Sequence, residues 1–312
     1  ILMEQSLLIA ILAAGVIAGT PILLAALGEV LCELAGVINL GVEGMMLTGA
    51  VTGFMTAMVT ADPWLGLVAA IVAGGLMAFI HAFLCITLRA NQVVSGLALT
   101  IFGTGLSGYI GKSLIGIPLP QTFKPIPIPG LSDLPLLGSV FFHHDMLIYI
   151  TFVLVAVLWF FLFRTNKGLE LRAVGENPSA ADLAGINVFV TRYGCVVAGG
   201  MLAGMAGAYL SLAYAPSWLE NMTAGRGWIA VALVIFATWN PGKAFLGSCL
   251  FGTVDVLGFH LQTFGIMIPS FFLKMLPYAI TIAVLILVTR ETKTRRMAAP
   301  AALGIPYNRE ER

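Results

Sequence analysis

Long apolar runs, each closed by a cluster of glycine, proline or charge, recur from one end of the chain to the other. Between Glu43 and Arg89 the one formal charge is Asp62, and none falls between Asp145 and Arg164 or between Arg192 and Glu220. A helix needs about 20 apolar residues to cross the hydrocarbon core of a bilayer, because lipid offers no partner to a bare N–H or C=O. Runs of this length predict helical spans, whereas a membrane barrel shows short alternating strands. The punctuation divides the chain into about ten spans, near residues 7–27, 29–44, 45–61, 64–88, 92–111, 146–163, 193–214, 228–239, 244–261 and 271–289. The second and eighth are short or interrupted. The stretch 112–145 carries Pro118, Pro120, Pro125, Pro127, Pro129 and Pro135 and cannot be one continuous helix, so a loop is expected there. Only Glu4 precedes the first run, where a cleaved signal would have a basic cluster, so that run is expected to be a retained span.

Lysine and arginine in short loops are retained in the cytoplasm. Arg164, Lys167, Arg172 and Arg192 share one loop, and Arg290, Lys293, Arg295 and Arg296 begin the tail. Four expected spans separate the two clusters, so both are placed inside, at 164–192 and 290–312. Counting backwards puts the Pro-rich loop outside and both termini in the cytoplasm; Lys112, Lys124 and Arg226 run against the rule. The expectation is therefore an all-α integral membrane protein, one transmembrane domain over 1–312. Ten spans would split into two inverted five-helix halves, with short or broken helices near the midplane, where transport folds place their solute site.

Composition agrees with this picture. Hydrophobic residues make up 59% of the chain and charged residues 10%, against about 25% charged in a soluble domain. A net charge of +1 implies no nucleic-acid partner. Cys32, Cys85, Cys195 and Cys249 lie in apolar stretches without metal or redox spacing, and read as packing thiols. Gly111-Lys112-Ser113 ends like a phosphate-binding loop, but position 106 is Leu106 where that loop needs glycine. No nucleotide site follows. His143-His144-Asp145 reads as a loop end rather than a metal site, and no catalytic set emerges.

Residues 171–187 are the most informative stretch. Asn177 can cap exposed N–H groups, Pro178 suits the first helical position, and Gly185 can end the helix with positive φ. The spacing predicts a helix of about 10 Å, too polar for lipid and too short to be stable alone. Either something docks on it, with the small Ala180, Ala181 and Ala184 allowing close approach, or it is an ordinary connecting turn.

Arg172-Ala173-Val174-Gly175-Glu176-Asn177-Pro178, followed by Ala180-Ala181 and Ala184-Gly185-Ile186-Asn187, resembles the coupling-helix signature of ABC importer permeases of the branched-chain amino acid, ribose and nucleoside superfamily. Glu33-Leu34-Ala35-Gly36-Val37-Ile38-Asn39-Leu40-Gly41-Val42-Glu43-Gly44-Met45-Met46 is similar to the early motif of its nucleoside and simple-sugar branch. Gly225-Arg226-Gly227-Trp228-Ile229-Ala230 with Trp239-Asn240-Pro241 resembles the later one. Cys32 and Leu34-Ala35 depart from that pattern.

The resemblance implies a bacterial inner-membrane permease that binds no cofactor itself. ATP and Mg would be held by a cytoplasmic ABC ATPase docked on Arg172, Glu176, Asn177, Pro178, Ser179, Ala180, Ala181 and Gly185. The further partners implied are a second permease, identical or different, and an extracytoplasmic substrate-binding protein. An ion-coupled secondary transporter is the competing reading, and an intramembrane enzyme the third.

Polar groups inside apolar runs are functional candidates because their burial in lipid is costly. Asn39 and Glu43, four apart, either line the solute pathway or hold a break beside Gly41. Asn91, Gln92 and Ser95 either line the pathway or simply start a helix, and Phe102, Trp228 and Phe236 could stack on a base or sugar. Trp218, Glu220, Asn221 and Arg226 sit on an outer loop. Asp255 and Lys274 are expected to pair across helices.

Overall fold

The computed structural model describes residues 2–263 and 299–309, with scattered positions between 272 and 286. Most of the expected tenth span, Lys274 and the basic cluster at 290–296 lie outside the described residues.

Helix α1 (Leu2–Leu34) runs for 33 residues, about 50 Å at 1.5 Å per residue. Pro21 inside it has no N–H to give to the carbonyl of Ile17, and the hydroxyl of Tyr209 donates there instead, at 3.3 Å. Gly36, at φ +85°, then turns the chain. Residues 37–41 follow without helical bonding, and α2 (Val42–Thr60) begins. Asp62 caps α3 (Pro63–Ala82), which ends in a π-helical turn, Phe83–Thr87. Asn91 caps α4 (Gln92–Gly111).

The Pro-rich stretch is a loop, as expected. It holds a two-stranded antiparallel ribbon, β1 (Pro125–Pro127) against β2 (His143–Asp145), with Pro125 opposite Asp145, and the short α5 (Leu137–Phe141). Beyond it come α6 (Met146–Arg164), α7 (Asn166–Glu176), α8 (Pro178–Leu183) and α9 (Val188–Tyr209), the last ending in a π-helical turn, Leu210–Tyr214. Residues 215–225 are non-helical, and α10 (Arg226–Phe236) and α11 (Pro241–Thr263) follow.

Helix α9 is the centre, packed on α1, α2 and α3. Its glycines make this possible: a Cβ on Gly200 would overlap Gly74 and Ala78, and one on Gly207 would overlap the carbonyl of Met46. Close backbone approach through small residues is how helices associate where no water drives them together. The contacts form a matched set, since α1 lies on α11 as α9 lies on α3, and α2 lies on α9 as α10 lies on α1.

Among the described residues six helices are long and apolar enough to cross a membrane, with the short α10 and the more polar α11 beside them. The expected second span is not a separate crossing. Glu29 to Leu34 continue α1, and Gly28, read in the sequence as a break, is instead a packing contact against Gly199 within an unbroken helix. Removing that crossing changes the parity. Gly304 bonds to Gly36 at the far end of α1, so residues 2 and 304 lie at opposite ends of that helix. The expectation of both termini on one side rests on a second crossing that α1, as one continuous helix, does not make.

Candidate functional site

Two stretches of non-helical backbone, 37–41 and 215–225, each lead into a helix that starts inside the bundle. Gly44 packs against Gly103, near the middle of α4, which sets the depth of the first break. Backbone groups there need partners, because lipid supplies none. Side chains of α3 and α4 provide them. Gln92 Oε1 accepts the N–H of Ile38 at 2.7 Å, and Thr100 Oγ1 donates to the carbonyl of Leu40 at 2.8 Å.

His81 Nε2 lies 3.0 Å from the carbonyl of Ile38, and its Nδ1 lies 3.0 Å from Ser95 Oγ. A carbonyl can only accept, so Nε2 carries the proton and, in the neutral ring, Nδ1 accepts from Ser95. Asn39 accepts from the N–H of Gly41 at 3.1 Å and donates to Glu29 Oε1 at 3.0 Å, tying the break back to α1.

Glu43 joins the two breaks. It is 4% exposed. Its carboxylate accepts from Thr223 Oγ1 at 2.6 Å and from the backbone N–H groups of Gly225 at 2.8 Å and Gly227 at 2.6 Å. Gly225 is the N-cap residue of α10 and has no side chain to cap it, so a residue of α2 caps α10. The same carboxylate lies in the first turn of α2. Both helix N-termini present partial positive charge to it. Just beyond the other end of α10, Trp239 Nε1 donates to Glu33 Oε2 at 2.7 Å. Helix α10 is thus held by a buried carboxylate at either end, one from α2 and one from α1.

Of the sequence candidates, Asn39, Glu43, Gln92 and Ser95 come together around the first break, all buried. Trp228 is half-buried in the first turn of α10, Asn91 is exposed and caps α4, and Phe102 is 54% exposed on the outer face of α4. Asp255 pairs with Arg226 at 3.2 Å, and the ring of Tyr214 lies below that guanidinium; the expected partner Lys274 lies outside the described residues. Sequence reasoning missed Glu29, His81, Thr100 and Thr223. Glu29 was detectable as a carboxylate inside an apolar run, whereas the others are unremarkable until the fold brings them to the break.

The second candidate region is α7 and α8. Asn177 Oδ1 accepts from the N–H of Ala180 at 3.0 Å, Pro178 opens α8, and Gly185 follows it at φ +85°, the local structure the spacing predicts. Ser179, Ala180, Leu183, Ala184 and Gly185 are exposed, and Pro178 is half-buried. Ala181 is not available for docking as expected, because it faces inward on Val174, Val188 and Tyr307. Leu183, at 72% exposed, is the large apolar residue on the free face. Arg172 lies over the ring of Phe163, and Glu176 is exposed.

Several apolar helices packed through glycine, two of them starting beside buried breaks, together with a capped polar helix outside the spans, define a multi-span membrane protein of the transport type. The chain belongs to the family described as branched-chain amino acid transport system / permease component, whose model matches residues 11–289. It is 46% identical over 323 residues to a protein of Haloferax volcanii provisionally named glucose ABC transporter permease protein TsgC13, covering 96% of this chain and 98% of that one. It is 37% identical over 319 residues to the guanosine ABC transporter permease protein NupQ of Bacillus subtilis, covering 97% of each. A second Bacillus subtilis protein, the guanosine ABC transporter permease protein NupP, is 26% identical over 245 residues, 76% of this chain and 70% of that one.

Proposed function

We propose that this chain is the membrane-spanning subunit of an ATP-driven importer for a nucleoside or a sugar, and that a separate ABC ATPase holding ATP and Mg docks on α8. The observation that carries the reading is the two-sided character of that helix. A helix of six residues is far below the length at which isolated helices persist, roughly 12 residues. It is pinned through Ala181 on one face and left bare on the other, with Leu183 outward. Such a face is a handle for a partner.

The loop bearing Arg164, Lys167 and Arg172 then faces the cytoplasm, in accord with the distribution of basic residues, and residue 2 lies towards the outside. The Pro-rich loop is outside too. There a cavity of about 940 Å³, lined by Asp62, Trp64, Gln121, Phe123 and Lys124 among others, suits a face visited by a solute-delivery protein. The matched contacts of α1, α2, α3 and α9, α10, α11 support two units of opposite orientation, with α6 to α8 between them. Asn39, Glu43, Gln92 and Ser95 hold the breaks closed in this arrangement, and solute passes when those bonds exchange. The existence of NupQ and NupP in one organism supports a second, different permease as partner.

Vesicles reconstituted with this chain, its ATPase and the second permease should accumulate labelled guanosine or glucose only with ATP and the cognate delivery protein. Uptake without any ATPase would overturn the proposal, and the two labels separate nucleoside from sugar.

A further inference from the structure

Residues 299–309 return to the cytoplasmic side of the bundle and touch both α8 and the residue that ends α1. At one end Arg309 Nε lies 3.2 Å from Asp182 Oδ2 on α8, and Tyr307 is buried among Val174, Ala181 and Val188, with its ring 5.8 Å from that of Phe189. At the other end the N–H of Ala302 donates to the carbonyl of Gly175 at 3.0 Å, and the N–H of Gly304 to the carbonyl of Gly36 at 3.1 Å. Gly36 is the residue at which α1 gives way to the first break.

Between these ends sits Arg192 of α9, 1% exposed. Its Nε donates to the carbonyl of Ala35 at 3.1 Å and its Nη1 to the carbonyl of Ile305 at 3.2 Å. Among the described residues no carboxylate lies within ion-pair distance of it. The charge is instead set against the C-terminal end of α1, where helix carbonyls lack partners and the dipole is negative. A buried cation held by carbonyls is a costly way to fill space, since an apolar side chain of like volume packs there without desolvation. Its geometry is nevertheless specific, with one planar fork bridging the end of α1 and the tail.

We propose that Arg192 is a positioning residue for transport, and that with residues 299–309 it forms a tie carrying the movement of α8 into the break at 37–41. The inference rests on the reading of α8 as the docking element. The tie runs from Asp182 through Arg309, Tyr307 and Ile305 to Arg192, then to Ala35 and Gly36. Glu43 and Asn39 lie a few residues further on. Movement of α8 by a docked ATPase therefore reaches the closed breaks without passing along the length of any span.

The test uses the complete transporter in vesicles, with ATP hydrolysis and solute uptake measured in the same preparation. Arg192→Lys keeps the charge but loses the fork, Arg192→Met loses both, and deletion of residues 300–312 removes the tail. Each should retain the ATPase on purification and keep hydrolysis within about two-fold of wild type, while uptake per ATP falls ten-fold or more. Arg309→Glu, at a side chain 67% exposed, leaves the core untouched and should lower the ratio several-fold, with Asp182→Arg restoring it in the double variant. Uptake and hydrolysis falling in parallel, or a ratio unchanged in all variants, would overturn the tie while leaving the transporter reading intact. Wild-type vesicles that import without ATP would overturn that reading and the tie with it.

Discussion

Replacing Glu43 by glutamine tests whether one carboxylate holds the two breaks together. Oε1 accepts from both Thr223 and Gly225, and Oε2 from Gly227. Glutamine keeps one oxygen, which can stay where Oε1 was. Its NH2 group then faces the N–H of Gly227 at the Oε2 position, 2.6 Å away, donor against donor. A hydrogen bond to a charged group contributes about 1.5–3 kcal/mol, and loss of the charge at a helix N-terminus removes roughly a further 0.3–1 kcal/mol. The sum is about 2–4 kcal/mol, which for a chain of this size lowers the unfolding midpoint by roughly 3–6 °C. Purified protein in detergent, followed through tryptophan fluorescence, reports that shift, because Trp228 lies in the first turn of α10 and Trp239 just beyond its last. Uptake should fall as well, since α10 is no longer held at its N-terminus. Glu220→Gln, on the exposed outer loop, is the control and should leave both unchanged. A Glu43→Gln protein that melts within about 1 °C of wild type and transports normally would show that the carboxylate does not hold α10.

Gly200→Ala should destabilise by about 1–3 kcal/mol, because its Cβ has no room against α3, whereas Gly194→Ala in the same helix meets nothing within 4 Å and should gain up to about 1 kcal/mol; the two melting curves must move in opposite directions. Ala181→Arg should loosen α8 and lower thermal stability, while Leu183→Arg should leave stability unchanged and weaken ATPase co-purification; equal effects would refute the assigned faces. Burial holds His144, in the outer ribbon, below its ordinary value of 6.5. The folded ribbon therefore binds the proton less readily than the unfolded one, and its stability, complete above pH 6.5, declines as pH falls through the folded value. Protection factors across residues 126–145, taken after correction for the intrinsic pH dependence of amide exchange, should fall below pH 6.5 in wild type, and a His144→Gln protein should lose that dependence.

How much of this was legible in the sequence follows from the distance over which each feature is determined. The α8 helix was readable because its cap, its opening proline and its closing glycine are neighbours in the chain. So was the loop at 112–145, where proline alone forbids a helix. The boundary between the first two expected spans was placed wrongly because glycine has two uses. Gly28 weakens a helix locally but stays within α1, since its missing side chain lets Gly199 approach; Gly36 ends the helix because only positive φ turns the chain there. Nothing within a few residues separates the two. The direction of Ala181 was hidden for a similar reason: a two-turn helix of small residues has no pattern that marks a face, and Tyr307, which covers it, is more than a hundred positions away.

The same distinction bears on mechanism. Several polar groups at and beside the breaks are satisfied by residues from other elements: Ile38 by His81 and Gln92, Leu40 by Thr100, Gly225 and Gly227 by Glu43, Trp239 by Glu33. In lipid an unmade backbone bond costs several kcal/mol. The breaks therefore cannot open by simple loosening, since several bonds would be lost together. They can change only by exchanging one complete set of partners for another, and that is the discrete two-position behaviour a motor stroke requires. A solute with many hydroxyl and amide groups can serve as the temporary partner during that exchange, which connects the chemistry of the breaks to a nucleoside or sugar as cargo.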